Sequence, residues 1–286
     1  MSGAAGRWGR AAALALLAGL TASCATGPAN APGAAAAQGF EPLFDGRTLA
    51  GWRGDPAYWS VRDGAITGEA VSRIEESTFL IHEGRYRDFE LHFKYRITPG
   101  GNSGFQFRSR VADEAKFNVA GYQANAVNAD QEVRYGMIWD NLGRLELALL
   151  SEKVEITGGK GERVRNVLGS VNPVATLRAA YRPYPEWNDY VVIAHGNRIV
   201  QAINGQLTLD AVDRGADAAS EGVFALQIDS FGTPMTVQFK DIAVKPIAAM
   251  PDLGRFASTP GPAETTAQVP KRPQNAAKPS GAAPRN

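Results

Sequence analysis

The side chains in this chain whose types could do chemistry lie in two alternating runs. Between Asp88 and Ile97, the polar Glu90, His92, Lys94 and Arg96 alternate with Phe89, Leu91, Phe93, Tyr95 and Ile97. After Thr98-Pro-Gly-Gly-Asn102, Gln106, Arg108 and Arg110 alternate with Phe105 and Phe107. A period of two sends successive side chains to opposite faces of a strand, so carboxylate, amide and guanidinium groups share a face. Such a face is either solvated surface or a floor that binds a polar ligand. Other chemistries lack their residues. His82, His92 and His195 are scattered, without zinc-like spacing. No phosphate loop, dinucleotide fingerprint or Gly-x-Ser-x-Gly elbow occurs.

The elements that must hold these residues are short strands. The two central runs read as neighbouring antiparallel strands joined by the Thr98–Asn102 turn. Tyr58 to Gly68 reads as a hairpin about Asp63-Gly64, and Tyr190–His195 pairs with Arg198–Ile203 about Gly196-Asn197. Thr78–Ile81, Val119–Asn125, Tyr135–Trp139, Leu145–Leu150, Lys153–Thr157, Gln206–Val212 and Gly222–Asp229 add further strands. In the closing run Met235–Lys245, Val237 and Phe239 share a face while Ile242 and Val244 have the opposite parity. That slip predicts a bulge near Lys240 or Asp241. Pro173 to Arg182 is the one helical stretch, with Val174, Leu177, Ala180 and Tyr181 on a common face before Pro183 and Pro185. Many short strands and one minor helix predict an all-β antiparallel sandwich.

The ends point to export. Arg7 and Arg10 precede a short apolar run from Ala11 to Leu20, then Thr21-Ala-Ser-Cys24. A basic start, a short apolar segment and small residues form a secretory signal too short to span a bilayer. Cys24 is the only cysteine and stands where a bacterial lipoprotein signal places its lipidated residue, although Thr21 replaces the usual aliphatic residue. The competing expectation is plain secretion, with cleavage near Ala22 or Ala25. Processing takes Cys24, which leaves neither a disulfide nor a thiol nucleophile. Residues 1–23 are thus expected to be a signal, 24–38 a tether, 39–247 the folded domain and 248–286 a disordered Pro/Ala/Lys-rich tail. The net charge of +1 gives no reason to expect nucleic acid. Membrane contact is expected through the lipid anchor only, at the periplasmic or outer-membrane face of a bacterial envelope.

The order of motifs resembles a known family. Leu43-Phe-Asp-Gly-Arg-Thr-Leu-Ala-Gly-Trp52 is similar to its opening signature. Asp88-Phe-Glu-Leu, Asn102-Ser-Gly-Phe with Phe107-Arg108, Gly121-Tyr-Gln-Ala, Glu186-Trp-Asn188, Ile203-Asn-Gly205, Leu226-Gln227 and Val237-Gln-Phe-Lys-Asp-Ile242 follow in order. The family is the secreted 3-keto-disaccharide hydrolases, also described as 3-keto-glycoside lyases and hydratases, and the resemblance spans Phe40 to Ile247. It implies a concanavalin A-like jelly-roll of two antiparallel sheets, one curved to form a sugar groove. It also implies action on oxidised glycosides, in some members with a divalent metal. One departure stands out. Where relatives carry Leu-Gln-x-His-x-Gly, this chain has Leu226-Gln-Ile-Asp229. A histidine titrates near neutrality as base or acid, whereas an aspartate also serves as a carboxylate metal ligand.

The resemblance gives the polar face a use. Glu90, Arg108, Gln123, Asn125 and Asp229 are expected to line one groove, because each alternates with apolar neighbours. Glu90 or Asp229 would be the base and Arg108 the stabiliser of an enolate. Asn102, Gln123, Asn125 and Gln227 would bind the substrate, and Trp139 or Trp187 would stack on a sugar ring. A 3-keto group acidifies the C2 hydrogen, so a base can abstract it and the C1 oxygen can leave. Direct hydrolysis by two carboxylates is the other route, although the Glu-x-Asp-x-x-Glu strand motif of glucanases sharing this architecture is absent. A non-catalytic carbohydrate-binding module on a tether is the alternative function, and a structural envelope protein a third.

Overall fold

A computed structural model describes residues 38–131, 134–159 and 161–264. The strands form two sheets. The ten-stranded sheet runs in the order β12 (Val164–Ser170), β11 (Glu152–Thr157), β15 (Gln206–Asp213), β14 (Arg198–Ile203), β13 (Asn188–His195), β6 (Phe89–Ile97), β17 (Met235–Pro246), β4 (Ala65–Ala70), β3 (Trp59–Arg62). The short β1 (Glu41–Pro42) pairs with β17. The seven-stranded sheet runs β10 (Leu145–Ala148), β9 (Ile138–Asn141), β8 (Asn118–Asn125), β7 (Gly104–Asp113), β16 (Gly222–Ile228), β5 (Thr78–Tyr86), β2 (Trp52–Arg53). The helix α1 spans Val174–Ala179 and buries Leu177. The molecule is the expected all-β jelly-roll sandwich, with one difference: β11 and β15 pair in parallel.

The largest correction concerns β6 and β7. The pattern suggested neighbours in one sheet, but β6 pairs with β13 and β17, while β7 pairs with β8 and β16. The Thr98–Ser103 connection crosses between the sheets, so the apolar faces of β6 and β7 meet across the sandwich. Phe93 stacks on Phe105 at 4.7 Å and on Tyr190 at 4.9 Å. Period-two alternation is the same for strands joined edge to edge and for strands stacked face to face. Burial of these rings supplies the main driving force for joining the sheets, at about 1.5–3 kcal/mol for each large side chain removed from water.

Register breaks redirect side chains at defined places. In β17 the register shifts between Lys240 and Ala243, with Asp241 at φ 52°, so the bulge lies where the parity slip put it. A second break bends the β7–β8 hairpin. Its register shifts between Phe107 and Arg110, Arg108 sits at φ 47° and Gly121 at φ 139°. The latter conformation favours glycine, since a Cβ there would meet Ser109 Cα at 2.8 Å. Beyond the bend, the hairpin tip crosses the outer face of β16 and β5. There Val111, Phe117 and Val119 pack on Phe79, Ile81, Val223 and Ala225, and Phe79 N–H donates to Phe117 O at 3.1 Å.

The segment after β17 departs from the expectation of disorder as far as Glu264. Ile247, Met250, Leu253 and Phe256 pack on Val171, Val191, Ile193, Val200 and Leu207, on the outer face of the ten-stranded sheet. Bridges join Gly261 to Ser170 and Ala257 to Gln206, and Asn172 Nδ2 donates to Ala257 O at 2.8 Å. The composition looked too poor for a core, but a few spaced apolar residues suffice to cover a ready-made sheet face. The remaining tail, 265–286, and the expected signal and tether with Cys24 lie outside the described residues.

Candidate functional site

The outer face of the seven-stranded sheet carries a continuous polar network. Registers align Trp139, Gln123 and Gln106 across β9, β8 and β7, with Ala225 of β16 next in line. Asn125, Gly104 and Gln227 lie near the next level. Ser109 Oγ donates to Gln106 Oε1 at 2.9 Å, and Gln106 Nε2 to Gln123 Oε1 at 2.6 Å. Gln123 Nε2 donates to Gln227 Oε1 at 2.8 Å and to Asn125 Oδ1 at 2.9 Å. Gln227 Nε2 donates to Asp229 Oδ2 at 3.3 Å. Every main link points the same way, so the relay ends on the carboxylate of Asp229. Bonds aligned head to tail polarise one another, and this array fixes the carboxylate. Ser77 Oγ donates to Asp229 Oδ2 at 3.3 Å and Phe231 N–H to Oδ1 at 2.8 Å.

Glycine makes the network possible. A Cβ at Gly104 would lie 2.4 Å from Gln123 Cγ, so only a residue without a side chain lets Gln123 lie flat across β7. Gln106, Gln123, Asn125, Gln227 and Asp229 are all buried, at 0–8 % exposure, which raises the value of each satisfied bond and the cost of each broken one. Trp139, half-buried on the same face, flanks Gln123. Asn102 lies beyond the other end. Its carbonyl accepts from Asp229 N–H at 3.2 Å, and its buried Oδ1 has no partner among the described residues.

The expected groove of five residues does not form. Gln123, Asn125 and Asp229 come together with Gln227, but Glu90 and Arg108 go elsewhere. Glu90 belongs to β6, so it projects from the outer face of the other sheet. It bonds His92 Nε2 at 2.5 Å and Arg255 at 2.9 Å. Burial pushes its pKa up, but the bonds and charges of His92 and Arg255 outweigh that and hold it below the usual carboxylate value. Its role is to tie the crossing C-terminal segment to the sheet.

Arg108 is turned away by its own bulge. Nε donates to Arg87 O at 2.7 Å, NH1 to Gly196 O at 2.7 Å and Ala219 O at 3.4 Å, and NH2 to Asp88 Oδ1 at 2.9 Å. With its side chain 1 % exposed, it clamps loops of both sheets. Burial pulls its pKa down, partly offset by Asp88. Trp187 is likewise engaged on the ten-stranded sheet, with Arg96 4.5 Å and Lys240 4.4 Å from its ring centroid, so its faces serve cations.

Three members of the network were missed by sequence reasoning. Gln106 was on the polar face but carried no further signal, and Ser77 and Ser109 are common residue types in loops and at bulges. Among the described residues, no group of three or more His, Cys, Asp or Glu could hold a metal. The floor offers a single carboxylate, Asp229, and most of its amide oxygens already accept bonds. That donor set does not fit a resident divalent cation.

Comparison with known proteins agrees with this architecture. A 3-keto-disaccharide hydrolase from Bacteroides thetaiotaomicron is 24% identical over 184 residues, covering 61% of this chain and 59% of that protein. The chain therefore spans about three-fifths of that relative. Two solved structures from Parabacteroides distasonis, each described as a proposed glycosyl hydrolase, share the fold at TM-scores of 0.50. One is 18% identical and covers 75% of this chain and 96% of its own, and the other is 15% identical with 73% and 99% covered. The family model for the 3-keto-alpha-glucoside-1,2-lyase-like domain matches residues 39–245, nearly the whole sandwich, and the chain belongs to that family.

Proposed function

We propose that this protein binds and cleaves 3-keto-glycosides on the outer face of the seven-stranded sheet, with Asp229 as the base. The observation that carries this reading is the one-way relay from Ser109 to Asp229 beside a half-buried tryptophan. Amide groups recognise sugar hydroxyls, an indole stacks on a pyranose, and a fixed carboxylate can take a proton. In the reaction, the Asp229 carboxylate accepts the C2 proton and the C–H electron pair becomes the C2=C3 enolate, with its charge on the keto oxygen. Amide N–H donors of the floor stabilise that oxygen. The enolate then forms C1=C2 as the C1–O bond breaks. The departing oxygen takes the proton back from Asp229, giving an alcohol and an enone and restoring the carboxylate. Addition of water to C1 of the enone completes a net hydrolysis.

A second reading, sugar binding without turnover, is favoured by the loss of Glu90 and Arg108 from the site, which leaves a floor of neutral amides and one carboxylate. Incubation with 3-keto-trehalose, followed by calorimetry, separates the two. The enzyme reading expects glucose release that falls about a hundredfold or more in Asp229→Asn while binding persists. Binding without any product in the wild type supports the module and refutes the enzyme. We further propose that the protein is exported and held at a membrane by acylated Cys24. Cys24→Ser should move it to the soluble fraction, and unchanged membrane association would refute the anchor.

A further inference from the structure

Beside the Asp229 end of the floor lies a depression of about 640 Å³, lined by Tyr58, Glu69, Ser72, Arg73, Ser77 and Lys116 among others. Several elements build it. The 71–77 loop forms one side and is tied to the next loop by Ile74 N–H donating to Thr233 Oγ1 at 3.2 Å. The bent β7–β8 hairpin brings Lys116 over, where it pairs with Glu76 at 2.8 Å. Tyr58, at the turn before β3, contributes a half-buried ring. The hinge between floor and depression is Ser77, which lines the depression and also bonds Asp229. Phe231, 61% exposed, stands on the loop whose N–H groups hold the same carboxylate and Ser77.

We infer that this depression is the subsite for the leaving group, and that it takes an uncharged or amine-bearing sugar rather than an anionic one. The inference rests on the reading of Asp229 as the base. C1 is bonded to C2, so a carboxylate in reach of the C2 hydrogen also stands beside the bond that breaks. Trp139 is level with Ala225, four residues before Asp229. Trp139 and Asp229 thus lie three strand spacings apart across the sheet and about 13 Å apart along it, about 19 Å in all between backbones. One pyranose is shorter than that, so the keto sugar sits over the amides at the Asp229 end, beside Gln227 and Asn125, with its C1 side at the carboxylate and Trp139 beyond its far edge. The group attached at C1 then passes over Ser77 into the depression, whose size suits a further sugar ring. Its wall carries Asp55, Glu69, Glu75 and Glu76 against Arg73 and Lys116. The excess of carboxylates disfavours a uronate or phosphate there, since like charges raise the cost of burial.

The test compares kcat/KM for 3-keto-trehalose, methyl 3-keto-α-glucoside and a 3-keto-glucosyl glucuronide. Wild type should prefer the two-ring neutral substrate over both others. In Tyr58→Ala, and in Ser72→Trp, which fills the exposed rim without touching the core, the ratio of trehalose to methyl substrate should fall about tenfold. An unchanged ratio in Ser72→Trp, or equal use of the glucuronide by wild type, overturns the subsite while leaving the Asp229 reading standing. A wild type that neither turns over nor binds any of the three, by calorimetry, overturns both.

Discussion

Replacing Arg108 separates the structural account of this residue from a catalytic one. Its guanidinium holds Arg87 O, Gly196 O and Ala219 O together with Asp88, and its side chain is 1 % exposed. Arg108→Ala removes all of these bonds at once. Breaking a buried pair by deleting one partner costs about 3–5 kcal/mol, and each orphaned carbonyl adds to the pressure on the loops. For a domain of this size each kcal/mol lowers the melting temperature by roughly 2–4 °C, so a fall of roughly 6–20 °C is expected. Arg108→Lys keeps a charge for Asp88 but cannot reproduce a planar fork that spans carbonyls on separate loops. It should lose about half as much. The assay is thermal unfolding by circular dichroism, paired with turnover of 3-keto-trehalose at a temperature where each variant is folded. Turnover per folded molecule should stay near wild type. A variant that melts with wild type but loses turnover a hundredfold would refute the clamp and restore Arg108 to the chemistry.

Other perturbations follow from the same contacts. Phe256→Ala with Leu253→Ala should destabilise the fold by about 2 kcal/mol, since both are half-buried on the ten-stranded sheet; a urea midpoint identical to wild type would show that the segment is not docked. Glu90 has a depressed pKa in the folded state, so its bonds stabilise above the ordinary carboxylate value and are lost as pH falls through the folded value. The stability gap between wild type and Glu90→Gln should therefore be full at pH 7 and close below about pH 4, and a gap unchanged at pH 3 would contradict this. Gln123→Ala strands Gln106 Nε2, Asn125 Oδ1 and Gln227 Oε1, which should abolish measurable binding of 3-keto-trehalose by calorimetry and lower stability by about 1–3 kcal/mol.

Much of the fold was legible because burial imposes periodicity. The sandwich, the 196–197 hairpin turn and the bulge beside Asp241 all followed from where apolar parity held or slipped. The site was only partly legible, for reasons that involve particular residues. Glu90 and Gln106 sit on identical-looking alternations, yet β6 and β7 belong to different sheets, and alternation does not say which sheet a strand joins. Arg108 is hidden more thoroughly. Phe105, Phe107 and Val111 all have odd numbers, so no slip shows, although the bulge sends Val111 to the outer face. Only Gly121, on the partner strand, hints at the bend. Gln123, Asn125, Gln227 and Asp229 share one face because β8 from Tyr122 and β16 from Ala225 onward keep register with β7. The C-terminal segment was misjudged from average composition, which ignores the spacing of Ile247, Met250, Leu253 and Phe256.

The central claim is that the sugar lies on the relay of the seven-stranded sheet with its C2 hydrogen at Asp229. A crystal structure of Asp229→Asn soaked with 3-keto-trehalose tests it most directly, because the variant should bind without turning over. The account predicts the keto ring between Trp139 and residue 229, with its hydroxyls bonded to Gln123, Asn125 or Gln227. Sugar bound on the ten-stranded sheet, or with C2 remote from residue 229, would contradict it.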